Sequence, residues 1–242
     1  MKLARTVLAG IAALGLAAAA APALQAAPVS AVAVYVEGDV QIKRSGESAY
    51  AALAVNDLVY PGDAIKTGKA SKLSLVTKGG AEVRLNENSS FEMSSKGKIR
   101  EMLNLSVGQL WTRMLSRMAK VNVKTPSAVC AIRGTEAEIE QRSLMTVKVY
   151  EGHVDVQNSL GKQSLAAGQM TTVAGGNAAP AAAKKMGAGD VGNWQDGVKV
   201  SDYKKFQDML EKSAATGGKL KATIKDKDGN LKEIQADLTK KK

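Results

Sequence analysis

The sequence predicts an all-β main domain, a short-stranded solenoid-like roll or sandwich, followed by a small α+β appendage at the C-terminus. Three observations carry that expectation. From Ser30 to about Ala174, apolar residues alternate with small or polar ones, the period of strands with one face in and one face out. Turn residues punctuate those runs at short intervals, as at Gly38-Asp39, Pro61-Gly62-Asp63, Gly79-Gly80, Gly152 and Gly168, positions where a left-handed backbone suits glycine. Beyond residue 195 the apolar spacing changes to that of an amphipathic helix.

The first residues read as an export signal. Lys2 and Arg5 precede an apolar stretch from Val7 to Ala21, and small residues follow at Ala21-Pro22-Ala23 and Leu24-Gln25-Ala26. This is the anatomy of a secretory signal peptide over residues 1–26, with Ala26 the last residue removed. About fifteen apolar residues fall short of the roughly twenty that a spanning helix needs. The mature protein is expected in the periplasm or secreted, with no transmembrane span.

The main domain is expected over residues 30–174. Its strand-like runs include Val32 to Val36, Leu73 to Val76, Ala81 to Leu85, Val121 to Val123, Met145 to Tyr150, Val154 to Val156 and Met170 to Val173. The glycines recur without a strict period, so no exact repeat is read. One basic, Met-rich segment, Lys96 to Lys124, breaks the pattern. Leu110, Met114 and Met118 would share a helix face there, so Leu110 to Ala119 reads as a short helix or a twisted strand pair. Its exposed side would carry Arg113 and Arg117, candidate partner-binding residues; the plainer reading gives core-facing apolar residues with solvated bases.

The stretch TPSAVCAIRGTEAEIE, Thr125 to Glu140, sets the next element. Pro126 fixes its own φ and sends Thr125 extended, so a strand starts there. Ala128, Cys130 and Ile132 would face one side, Val129 and Ala131 the other, and a strand buried on both faces is expected. Arg133 ends that strand, and Gly134 permits a sharp bend. A charge at the edge of a core needs a partner. Arg133 is therefore expected to pin the corner through Glu136, Glu138 or backbone carbonyls. Alternatively Arg133 and Thr135 hold a ligand carboxylate or a partner's acidic loop.

Residues 175–195 have the Ala/Gly-rich composition of a linker. Residues 196–242 follow as a helix plus hairpin with a Lys-rich tail. Tyr203, Phe206, Met209 and Leu210 share a helical face with Ser201 as N-cap, and a β-hairpin turns around Asp228-Gly229. Lys240 to Lys242 close the chain.

The chemistry these residues offer is sparse. The chain has one cysteine, Cys130, in an apolar alternating run, where it reads as a small core hydrophobe. The one histidine, His153, reads as a surface residue. One His and one Cys so placed do not make a zinc site. No nucleophile elbow, P-loop or dinucleotide fingerprint appears. An EF-hand aligned on Gly229 would need carboxylates where Ile224 and Gln235 stand. A non-enzyme without cofactor is expected. The formal net charge is +11, and +9 once Lys2 and Arg5 are removed. Without interleaved aromatics, and in an exported chain, such a surface suits anionic envelope polymers or lipid headgroups rather than nucleic acid.

Seven phrases in order resemble the FecR-like domain: VEGDVQI near Gly38, LVYPGDAIKTG at Leu58 to Gly68, GGAEVRLNENSSFEM at Gly79 to Met93, LSVGQLW at Leu105 to Trp111, VKTPSAVCAIRGTEAEI at Val123 to Ile139, VKVYEGHVDV at Val147 to Val156, and LAAGQM at Leu165 to Met170. The positions that carry its pattern are Gly62, Asp63, Gly68, Thr125, Pro126, Arg133, Gly134, Thr135, Gly152 and Gly168. The resemblance spans roughly 140 residues and implies an all-β periplasmic module of short strands. In founding members that module follows a cytoplasmic sigma-binding segment and a transmembrane helix. Here a signal peptide is expected in their place, so the module is carried over, iron signalling is not, and a sigma-factor link is left open. The leading expectation is an envelope recognition module for a protein partner. The alternative is a wall- or surface-associated structural protein that binds anionic polymer, and a hydrolase is a third reading. Trp111 is expected in the core, and Trp194 is left open between core and contact roles.

Overall fold

The structure is a computed structural model that describes residues 29–94, 101–116, 119–198, 203–215, 219–225 and 231–237, the backbone alone at 101, 213–215, 219–225 and 231–237. The expected signal peptide, Arg117, Met118, the expected Ser201 cap and Asp228-Gly229 turn, and the Lys240 to Lys242 tail lie outside the described residues. The chain folds as a large β-roll with one short helix near its C-terminus.

The first eight strands are short: β1 (Ala31–Glu37), β2 (Val40–Lys43), β3 (Ala51–Ala52), β4 (Leu58–Val59), β5 (Ala64–Thr67), β6 (Lys72–Thr77), β7 (Ala81–Leu85) and β8 (Ser90–Met93). Three long strands occur among the next four: β9 (Glu101–Met114), β10 (Lys120–Lys124), β11 (Val129–Gln141) and β12 (Met145–Asn158). Then come β13 (Gly161–Ala166), β14 (Gln169–Val173) and β15 (Lys184–Lys185). After them lie α1 (Tyr203–Ala215) and the antiparallel pair β16 (Lys219–Lys225) and β17 (Leu231–Asp237).

Pairing divides the fifteen strands into two layers that share the long strands. One layer, the A face, joins β15, β14, the first part of β12, the later parts of β11 and β9, then β7, β6, β1 and β4. The other, the B face, joins β13, the later part of β12, the first part of β11, then β10, the first part of β9, β8, β5, β2 and β3. Most contacts are antiparallel; β10 lies parallel to β9. The inner faces of both layers fill one core, with Leu85, Leu110, Ile139 and Val147 from the A face and Ile65, Phe91, Leu105, Cys130 and Ile132 from the B face.

Each long strand changes layer at a glycine with positive φ: Gly108 (110°), Gly134 (57°) and Gly152 (71°). The β11–β12 register slips between Arg133 and Glu136, so this crossing is a bulge. The sequence reading of a strand ending at Arg133 is thereby corrected: β11 bends at Gly134 and runs on to Gln141. It is also not buried on both faces. Ala128, Cys130 and Ile132 are buried, whereas Val129 and Ala131, on the B face, are only partly covered by the described residues. The start behaves as its chemistry requires. Thr125 Oγ1 accepts hydrogen bonds from the Ser127 and Ala128 amides, both at 3.1 Å, and turns the chain into the strand. The helix offered for Leu110 to Ala119 is likewise a strand as far as Met114, with Leu110 in the core.

Cys130 is buried, and burial pushes its thiol up to about 12. A thiol-reactive dye is expected to leave the folded protein unlabelled and to label one equivalent in denaturant; prompt labelling of the native chain would contradict this packing.

Candidate functional site

The two outer faces differ sharply. On the A face, four adjacent strands place charged and aromatic residues side by side. Glu82 and Arg84 lie on β7, Trp111 and Arg113 on β9, Glu136 and Glu138 on β11, and Lys148 and Tyr150 on β12. Registers place Glu82 opposite Arg113, Arg84 and Glu138 opposite Trp111, and Glu138 opposite Lys148. Strand alternation turns them outward while Val83, Thr112, Ala137 and Val149 point in.

Glu82, Arg84, Trp111 and Glu138 are nevertheless buried and the other four partly covered, because the C-terminal part of the chain lies over them. Glu82 is 0% exposed and Glu138 1%. Glu82 Oε1 accepts from Ser74 Oγ at 3.0 Å and Arg84 Nε at 2.6 Å; its Oε2 accepts from Arg113 at 3.0 Å and from the Tyr203 hydroxyl at 2.7 Å. Arg84 also donates to the Gln195 carbonyl and stacks 4.5 Å from the Trp111 ring centre. Glu138 accepts from Lys148 Nζ at 3.1 Å, Trp194 Nε1 at 2.9 Å and the Tyr150 hydroxyl at 3.4 Å. Trp111 Nε1 donates to Glu136 at 3.1 Å. A Cβ at Gly192 would stand 2.9 Å from Glu138 Oε2, so glycine lets the covering segment approach. Burial, then Glu138, pushes the Tyr150 phenol up to about 12; burial and the bond to Glu82 raise that of Tyr203. Both phenols therefore stay protonated and keep donating.

The covering segment is a strap. The Ala/Gly-rich stretch 175–195 is laid against the roll: the Ala181 and Met186 amides bond the Thr172 and Gly168 carbonyls, and β15 pairs β14. Further on, α1 buries Phe206 and Leu210 against Val32, Val34 and Val76 on the A face, with Tyr203 and Met209 alongside. The four apolar positions of the amphipathic pattern are the ones that pack. Trp111 is buried as expected but on the outer face under the strap, and Trp194 is a strap residue.

The B face is bare. Its outward residues include Lys43 on β2, Lys66 on β5, Lys120 and Lys124 on β10, Arg133 on β11 and Lys162 on β13, against Glu92 and Asp155. Lys120, Arg133 and His153 stand directly opposite one another across three strands. Small or neutral residues, Asn104, Ser106, Asn122 and Ala131, form the platform between them. Asp155 accepts from Ser164 Oγ at 2.6 Å, Lys162 at 3.0 Å and His153 at 3.1 Å. The Ser164 hydrogen bond leads in holding its carboxyl below the usual range. Serine, aspartate and histidine meet here in the wrong order for nucleophilic catalysis: the serine proton faces the carboxylate, not the imidazole. Among the described residues no group of three His, Cys, Asp or Glu side chains could hold a metal ion.

The candidate residues named from sequence separate accordingly. Arg133 is exposed on the B face, and among the described residues its side chain forms no ion pair. The expected corner pin is corrected: Glu136 is taken by Trp111, and Glu138 by Lys148 and the strap. Thr135 does the pinning. It is buried, and its hydroxyl takes the His153 amide at 2.9 Å and faces the Arg133 and His153 carbonyls, stitching the bulge. Arg113 lies under the strap edge, its side chain 41% exposed. Asp63 is buried, accepting from Arg44 at 2.8 Å, the Ser45 amide at 3.0 Å and the Tyr60 amide at 2.9 Å. Gly62 (φ 88°) lies in the same turn. The Gly68 amide bonds the Asp39 carbonyl, and that of Gly168 the Val149 carbonyl. The Glu82–Arg84 pair went unread in the sequence, although acid and base at alternate strand positions signal a shared face.

Residues 63–155, from the buried Asp63 to Asp155, match the family model described as FecR protein. That span is a FecR domain. It holds the charged row of the A face and most of the basic residues of the B face, while the strap lies outside it. The match covers less than half of the chain. Two crystal structures of a candidate anti-sigma factor from Parabacteroides distasonis ATCC 8503 are similar, each with a TM-score of 0.48. They are 14% and 13% identical, covering 72% and 73% of this chain and 98% and 85% of theirs. No curated protein matches the chain. No helix among the described residues is long and apolar enough to cross a membrane.

Proposed function

We propose that this chain is an exported, non-enzymatic recognition module of the regulatory kind, which binds an acidic envelope protein through the B face of its FecR domain. One observation carries the reading. Lys120 stands directly opposite Arg133 on neighbouring strands, with His153 next in line. Like charges so placed oppose each other by about 0.2–1 kcal/mol. Folding gains nothing from setting Lys120 against Arg133; an acidic ligand would. The A face cannot serve while the strap covers it.

Arg133→Glu tests this cleanly. The new carboxylate faces Lys120, so the melting temperature should hold or rise slightly. Cross-linking of the tagged protein in intact cells should then lose a discrete protein adduct that the parent forms and that survives high salt. An adduct unchanged in the variant would sink the proposal. The same face also supports a second reading, anionic wall polymer or lipid headgroups. That reading predicts diffuse association, lost steeply as salt screens exposed charge over about 8 Å at 0.15 M.

A further inference from the structure

The charged row of the A face is built as an interface rather than as a core. Single folding units fill sheet-to-helix contacts with apolar side chains, as Val32, Val76 and Phe206 do next to it. Beside that patch the FecR domain instead presents three acids, three bases and two aromatics. The segment covering them engages mainly by hydrogen bonds: Trp194 Nε1 to Glu138, the Tyr203 hydroxyl to Glu82, and the Gln195 carbonyl from Arg84. Buried charge that depends on another segment for its partners is the mark of recognition surfaces, where pairing sets specificity. The seating is also unsaturated. Among the described residues, Arg113 Nε and Gln195 Oε1 are buried without a hydrogen-bond partner, a cost that a better-matched occupant would remove.

We propose that this groove is a peptide-binding site of the FecR domain and that the strap is its latch, displaced by a segment of a partner protein. The chemistry of that segment follows from what the strap supplies. It is near-neutral, carries one indole or phenol donor for Glu138 and a phenol whose hydroxyl donates to Glu82 and accepts from Arg113, offers a main-chain carbonyl to Arg84, and has glycine where Glu138 is approached. The inference stands apart from the B-face reading, since it uses different residues and the opposite surface. A tethered latch competes at an effective concentration on the order of millimolar, so an incoming segment gains access only when it binds well or when the latch is weakened.

The test uses the purified full chain and a fluorescent synthetic peptide with the sequence of residues 191–212. Trp194→Phe combined with Tyr203→Phe removes both donors from the latch and no group from the groove. The double variant is expected to bind the peptide at least tenfold more tightly than the parent, and to keep a cooperative sheet melting transition. A peptide carrying the same two replacements should bind neither protein. Equal binding of the original peptide by both proteins, or binding by neither, would overturn the proposal. So would loss of the sheet transition in the double variant, since the strap would then be part of the core.

Discussion

Glu82→Ala is expected to be the most damaging single charge removal in the protein. The carboxylate is fully buried and receives four hydrogen bonds, two of them from the guanidinium groups of Arg84 and Arg113. Truncation leaves Arg84, itself 7% exposed, without its carboxylate partner, its charge met by the Gln195 carbonyl, the Tyr203 hydroxyl and the Trp111 ring. Breaking a buried pair by removing one partner costs about 3–5 kcal/mol, because the surviving charge stays desolvated. For a unit of this size that corresponds to a melting temperature lower by on the order of 10 °C. Glu140→Ala is the matching control. Its pair with Arg142 is open to solvent on both sides, and surface pairs of that kind contribute about 0–1 kcal/mol. Similar melting temperatures for the two variants would mean that the Glu82 network contributes nothing beyond a surface pair.

The second large effect separates glycines that are alike in sequence. Gly108→Ala places a Cβ 2.4 Å from the Ser89 Cα, a backbone atom that cannot turn aside, at a φ of 110° that side-chain-bearing residues avoid. Strain and collision add, and the variant is expected to lose several kcal/mol or to fail to accumulate as folded protein. Gly134→Ala carries only the left-handed backbone cost of about 1–2 kcal/mol, since no atom lies within 4 Å of the added carbon. Circular dichroism melts of the two variants decide the point, and equal destabilisation would contradict the layer crossing described for β9.

What the sequence made legible was local. The Thr125-Pro126 start and the buried Ala128, Cys130 and Ile132 follow from short-range rules, as does the packing of Tyr203, Phe206, Met209 and Leu210. The turn glycines Gly38, Gly62 and Gly168 were legible for the same reason, whereas Gly152, read as a turn between two strands, bends one continuous strand, β12. Two failures share a cause in distance along the chain. Arg133 drew attention because a base ended an apolar run, and Glu136 and Glu138 stood nearby. Their true partners, Trp111, Lys148 and Trp194, come from other strands and from the strap, which no local pattern announces. Glu82 and Arg84 looked like the wet side of an ordinary strand. They are dry only because Gln195 and Tyr203, more than a hundred residues later, close over them. The Ala/Gly-rich composition of 175–195 hid the strap, since small residues suit a segment that hugs a sheet as well as one that hangs free.

The three long strands that belong to both layers have a mechanical consequence. In an ordinary sandwich two separate sheets can slide or part along the plane between them. Here Gly108, Gly134 and Gly152 bend strands that run on from one layer into the other, so parting the layers requires tearing β9, β11 and β12 together. Tension applied to the roll would therefore be borne in parallel by many interstrand hydrogen bonds at once, and the module would hold its shape under load until it yielded in a single step.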